Sequence, residues 1–262
     1  NTFREADLFN QPLNWDTSSV INMNNMFYIA PNFNQPLNWD TSSVINMGNM
    51  FFLASNFNQP LNFSDTSKVT TMMNMFYSSS NFNQPLNFDT SSVTNMSFMF
   101  REAFAFDSPI TFTDTSSVTD MSLMFYLADI FNQPLNFDTS SVTNMASILF
   151  RARGFNQLLN WDTSKVTNMS SALRETLAFN QDISNWSFVS VTNMSNFMTS
   201  KGAEYDVNYM DDLYIKLDQD LIFANMVNIN ISFGSINYTS AGATARASLV
   251  SKGFIITSGI QV

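Results

Sequence analysis

Histidine and cysteine do not occur anywhere in the 262 residues. The commonest general base, the thiol nucleophile and the usual nitrogen and sulfur ligands of transition metals are therefore missing, and carboxylates remain the only acid and base candidates. Without cysteine there is no disulfide framework, and the redox compartment is unmarked. Charge is also scarce: Asp, Glu, Lys and Arg make up 12% of the chain, about half the usual globular share. That charge is lopsided, with 21 acids against 11 bases and a net charge of −10. No basic stripe is available to neutralise phosphates, which argues against nucleic acid and anionic membranes as partners. No apolar run approaches the roughly 18 residues that a membrane span needs, and no basic segment leads into an apolar stretch as in a signal peptide.

What the chain has in abundance is repetition, which has to be read before any local element. Phe9, Phe33, Phe57, Phe82, Phe106, Phe131, Phe155 and Phe179 recur every 24 or 25 residues. Val20, Val44, Val69, Val93, Val118, Val142, Val166 and Val191 keep the same step, and a methionine follows each valine three residues later. Eight units are visible, ending near Ser200. Asn1, Thr2, Phe3 and Ala6 fall in register with Asn25, Met26, Phe27 and Ala30. The chain is thus expected to open inside a unit, leaving room for a signal peptide or further units ahead of it.

Two periodicities share each unit. Leu13 and Trp15 alternate with Pro12, Asn14 and Asp16, the period of a strand with one face inward. From Val20 the apolar positions are Met23, Met26, Phe27 and Ala30, which is the spacing of a short helix. Between them Asp16-Thr17-Ser18-Ser19 carries the short oxygen-bearing side chains of turns and helix N-caps. The expectation is strand, capped turn and short helix, stacked as an α/β repeat solenoid over 1–200 because one unit cannot bury both faces alone. Extra residues at Ser64 and Thr113 fall beside the Asp-Thr turn, where insertion is tolerated.

Residues 201–262 read as a C-terminal capping segment. Tyr205, Tyr209, Leu213 and Leu217 step by four as in a helix, Ile229 and Ile231 alternate as in a strand, Thr244 to Ser251 reads as a second helix stopped by Gly253, and Phe254 to Thr257 as a last strand.

The strings FNQPLNWDTSSVINMNNMF and FNQPLNFDTSSVTNMSFMF resemble the short repeats of BspA-like leucine-rich-repeat surface proteins, over residues 1–200. The resemblance implies a leucine-rich-repeat-like fold and an extracellular or surface-displayed, adhesive solenoid. It also implies binding to protein, matrix or host cells, and no catalytic residues.

Three rows of polar residues are candidates for a site. Asp16, Asp40, Asp65, Asp89, Asp114, Asp138 and Asp162 could line up calcium ions, but each unit brings one carboxylate where a calcium cage wants two or three, so turn chemistry is the better reading. Asn22, Asn46, Asn95, Asn144, Asn168 and Asn193 read as an internal ladder bonded between units rather than a ligand row. The outward strand positions Asn14, Asn38, Asn62, Asn87, Thr111, Asn136 and Asn160 form the candidate binding row, because they have the opposite parity to Leu13 and Trp15. The Met and Phe stripes recur at one register and read as core rather than as a cofactor box. No catalytic residue, cofactor or metal is expected. The functional expectation is a non-catalytic interaction scaffold for protein or glycan on a host, matrix or neighbouring subunit. The alternatives are an ice or ordered-surface binding protein, favoured by regular Thr and Asn rows, and an enzyme acting on polysaccharide.

Overall fold

The computed structural model describes residues 2–201, 204–221 and 230–262. Asn1 and Ile229, both used in the sequence reading, lie outside the described residues. Among these residues there are two α-helices, α1 (Val207–Asp220) and α2 (Ser240–Ser251), and four short strands. The strands are β1 (Leu86–Phe88), β2 (Ile110–Phe112), β3 (Asn230–Ser232) and β4 (Ile255–Thr257). β1 pairs in parallel with β2, matching Asn87 to Thr111, and β3 pairs in parallel with β4, matching Ile231 to Ile256.

The expected leucine-rich-repeat α/β solenoid, with a strand and a short helix in every unit, is therefore not the architecture. Both helices lie beyond residue 206, and only two of the expected strand segments hold a strand. The backbone supplies the reason. Between Val20 and Ala30 two residues occupy the left-handed region, Asn25 (φ 56) and Ile29 (φ 51). The equivalent pairs Asn49 and Leu53, Asn74 and Ser78, and Phe98 and Glu102 repeat the pattern. A right-handed helix cannot run through such residues.

The amides instead divide into two sets. Those of Met26 and Ala30 close tight turns onto the carbonyls of Met23 and Phe27, at 3.2 Å each. Those of Met23, Asn25, Phe27 and Ile29 leave the unit and donate to the carbonyls of Asn46, Gly48, Met50 and Phe52. Asn25 and Ile29 are each the third residue of a turn, where a type II turn calls for positive φ. Overlapping turns place Met23, Met26, Phe27 and Ala30 inward at intervals of three, one and three, which imitates a helix face in the sequence.

Equivalent positions of neighbouring units are joined by single parallel bridges. One series runs through Asn22, Asn46, Thr71, Asn95, Asp120, Asn144, Asn168 and Asn193. Behind it the apolar rows are buried as the parity argument requires. Phe27, Phe51, Phe76, Phe100 and Phe125 stack with centroids 5.4–5.6 Å apart. A second column, Phe33 through Phe179, runs beside it at 5.7–6.2 Å spacing. Offset stacking of this kind adds about 0.5–1.5 kcal/mol per pair beyond area burial. Leu13, Leu37, Leu86, Leu135 and Leu159 are buried, whereas Trp15 in the first unit is partly exposed.

The C-terminal segment continues these columns. Tyr205 stacks 6.4 Å beyond Phe179 and its hydroxyl donates to the Gln181 carbonyl. Asp206 then caps α1 by accepting the Asn208 amide at 2.8 Å. α1 buries Met210, Leu213, Tyr214 and Leu217, close to the stepping read from the sequence. Asp211 is buried too, and it accepts the amide and hydroxyl of Thr239, the N-cap of α2. Gly242 makes that approach feasible, because a Cβ there would stand 2.4 Å from the Asp211 carboxylate. α2 begins at Ser240, four residues before the expected Thr244, because the Thr239 side chain caps it there.

Candidate functional site

The seven strand-row positions Asn14, Asn38, Asn62, Asn87, Thr111, Asn136 and Asn160 are all exposed. From Asn38 onward each sits between buried or partly buried neighbours, as in β1, where exposed Asn87 lies between buried Leu86 and Phe88, whereas Trp15 beside Asn14 is itself exposed. Asn62 donates to the Asn38 side-chain oxygen at 3.2 Å, which holds these two amides in line. The flanking row is also exposed and carries Pro12, Pro36, Pro60, Pro85, Pro109, Pro134 and Leu158. The row is uncharged and can exchange hydrogen bonds along its length.

The Asp row is committed locally. Each of Asp16, Asp40, Asp65, Asp89, Asp114, Asp138 and Asp162 accepts the amide two residues ahead at 2.8–3.0 Å. The hydroxyl and then the amide of that serine hold Asp16, Asp89 and Asp162 below the ordinary carboxylate range. For Asp40 and Asp114 the amide leads and the hydroxyl follows. Among the described residues no three acidic side chains gather as a metal cage. Millimolar calcium should therefore shift the melting temperature by no more than about 2 °C, since a ligand stabilises only in proportion to its occupancy. A rise of many degrees, reversed by a chelator, would turn the row into a set of calcium sites.

The Asn22 series joins neighbouring units through its backbone bridges, and Asn144 also donates from its side chain to Asp120 of the preceding unit at 3.4 Å, but the side-chain oxygens serve their own turns. Asn22, Asn46, Asn95, Asn144, Asn168 and Asn193 each accept the amide two residues ahead in their own turn. The side-chain ladder between units lies elsewhere, on the residue after each repeat Phe, which is asparagine except at Asp107. Asn10 accepts the Asn34 amide and the Gln35 side chain, and Asn34 accepts Asn58 and Gln59 in the same way. The series ends where Asn180 accepts the Asp206 amide at 2.7 Å. Reading the Asn-Gln pair as one donor-acceptor module would have located it.

Two further rows escaped the sequence reading. Thr17, Thr41, Thr66, Thr90, Thr115, Thr139 and Thr163 are buried, and each hydroxyl donates to a carbonyl in the next unit. On the outside, Thr70, Thr94, Thr119, Thr143, Thr167 and Thr192 form an exposed line in which each hydroxyl donates backward at 3.1–3.3 Å. The sequence signal for that line was the polar residue set between inward Val and Met.

No helix among the described residues is long and apolar enough to cross a membrane. A family described as "Mycoplasma protein of unknown function, DUF285" matches residues 1–111, 62–137 and 135–232. No curated protein and no solved structure matches the chain. The repeat strings thus belong to a different family from the BspA-like leucine-rich-repeat proteins they resemble, and the surface and adhesion roles attached to that resemblance lose their support with it.

Proposed function

The chain belongs to the DUF285 family, and we propose that it acts as a non-catalytic scaffold binding an extended protein or glycan along its exposed amide row. One observation carries the reading: seven equivalent positions, Asn14 to Asn160, are exposed in successive units over a buried backing. A rigid row presents donors and acceptors in register, so a polymer with its own repeat gains contacts additively. Catalysis has little to draw on. Histidine and cysteine are missing from the sequence. The Asp side chains sit in equivalent turns, so environment does not split them into an acid and a base.

Glycan-array and protein-array binding test the reading. Asn87→Ala alone should weaken a captured ligand modestly, by about tenfold or less, as expected of one distributed contact. Replacing Asn62, Asn87, Thr111 and Asn136 together by lysine should abolish binding while leaving the melting temperature nearly unchanged. Full binding by the fourfold variant, or complete loss from one substitution, would defeat the proposal.

The outer threonine line favours a second reading, attachment to an ordered surface such as ice. Its hydroxyls and methyls recur once per unit on a bridged backbone, about 4.8 Å apart by strand geometry. Thermal hysteresis that disappears when Thr94, Thr119 and Thr143 become lysine would favour it over the amide row.

A further inference from the structure

The repeat varies most between its Met-Phe pair and the next repeat Phe, and the structure gathers that variation along one edge. A column of planar groups runs there: Tyr28, Phe52 and Tyr77 stack at 4.5–4.7 Å, and Tyr126 stacks on Phe150 at 4.7 Å. Arg101 bridges the two runs, 4.9 Å from the Tyr77 centroid and 4.7 Å from that of Tyr126. Arg174 closes the column 5.1 Å from Phe150. The inner rings have both faces covered by neighbours, so they present edges to solvent and offer no open platform for a sugar.

In the later units this edge changes character. Ser55 and Ser80 occupy the position after the unit's small residue in earlier units, whereas Phe104 and Leu177 occupy it later, 47% and 43% exposed. Ile130, 54% exposed, follows the equivalent position, Asp129, in the unit after that of Phe104. Arg151 and Arg153 belong to the unit between those of Ile130 and Leu177, and Arg174 to the unit of Leu177. With Arg101 they make four arginines against Glu102, Asp129 and Glu175, in a chain whose net charge is −10. Arg101 pairs with Glu102 at 3.1 Å, whereas the other pairs are longer: Arg151–Glu175 is 3.4 Å, and Arg153–Asp129 and Arg174–Glu175 are 3.5 Å. Asp129 Oδ1 is buried on this edge without a hydrogen-bond partner, and the buried Arg151 Nε and Arg174 Nε have only the long contacts to Glu175 that are too poor in geometry to count as hydrogen bonds. Such groups call for an explanation, because buried polar atoms are normally satisfied.

From this we infer that the edge spanning Phe104 to Leu177 is a docking stripe for an acidic peptide segment of a protein partner. Peptide carboxylates would meet Arg151, Arg153 and Arg174 with the fork geometry that arginine offers, and apolar peptide side chains would cover Phe104, Ile130 and Leu177. Arginine and aromatic residues are what protein interfaces concentrate at their centres. The local excess of positive charge would steer an acidic segment to this edge of an otherwise acidic molecule. This surface is independent of the amide row, which lies on the strand side of each unit.

The test is fluorescence anisotropy with a labelled random copolymer of glutamate and tyrosine, set against a lysine–tyrosine copolymer and heparin. The wild-type chain should bind the acidic copolymer saturably, more weakly as salt rises, and should ignore the basic one. Arg153→Glu and the pair Phe104→Ser with Leu177→Ser should each weaken binding by about tenfold or more, as truncated anchors do, at an unchanged melting temperature. The Leu177 carbonyl accepts the buried Lys201 ammonium, so Ile130→Ser replaces the apolar test if that pair unfolds. The fourfold lysine variant of the amide row should bind the acidic copolymer at least as well as wild type. No saturable binding by wild type, or equal binding by the edge variants, would overturn the inference. Heparin binding as tight as the acidic copolymer would overturn it too, assigning the stripe to polyanions at large.

Discussion

Phe76→Ala should destabilise the protein by about 3–5 kcal/mol, the range for deleting a fully buried ring, as measured by urea denaturation. Phe76 is 0% exposed. Its ring stacks 5.5 Å from Phe51, 5.6 Å from Phe100 and 4.0 Å from Phe82. The void could not collapse readily, because the Phe76 and Ser78 amides are tied to the Met99 and Arg101 carbonyls of the next unit. Those bonds hold the walls apart while the ring between them is removed. Tyr77→Ala is the internal comparison: its ring stands on the half-exposed edge, so its loss should be distinctly smaller. A Phe76→Ala loss below about 1 kcal/mol, the scale of a surface change, would mean that the ring columns do not carry the packing.

Removing residues 204–262 should make the chain aggregate, visible by size-exclusion chromatography and light scattering. Tyr205 covers Phe179, Phe233 meets Phe197 edge-on at 6.5 Å, and Asp220 on α1 accepts the Phe188 amide at 2.8 Å. The Met198 amide donates to the Ser232 carbonyl. Truncation would leave these rings in water and these backbone donors unpaired, and both conditions favour association with another chain. A truncated chain that stays monomeric and keeps its melting temperature would show that residues 204–262 protect nothing.

The period, the inward Leu, Met and Phe rows and the Asp turn could be read from residues alone, because recurrence at one register reports burial whatever the backbone does. The local backbone could not be. Met23, Met26, Phe27 and Ala30 have helical spacing, yet they arise from overlapping turns whose left-handed residues include Ile29, Leu53 and Arg151. Asparagine at Asn25, Asn49 and Asn74 is compatible with positive φ and hints at it, whereas the branched or long side chains at the second position conceal it. Those conformations cost about 1–3 kcal/mol each and persist because amides such as those of Asn25 and Ile29 are bound to the next unit. The same gap in sequence information moved the side-chain ladder to the wrong asparagine: Asn10 and Asn22 look alike as residues, and only their direction separates them. The candidate amide row needed parity alone, so its exposure was legible. The arginine–aromatic edge was not, because its members vary from unit to unit and no single residue type marks it.

The division of amides between a unit's own turns and its successor also governs how such a chain can lengthen or shorten through inherited change. Each interior unit receives from one side the kind of bonds it gives on the other, so duplicating or excising a full 24- or 25-residue block leaves the surviving junctions chemically matched. Losing one residue between Val20 and Phe33 would exchange outward and inward amides for the rest of that unit. The additional residues at Ser64 and Thr113 fall outside that stretch, beside the Asp-Thr turn. Length is therefore heritable in whole units, and the reach of the exposed amide and threonine rows is set by unit number.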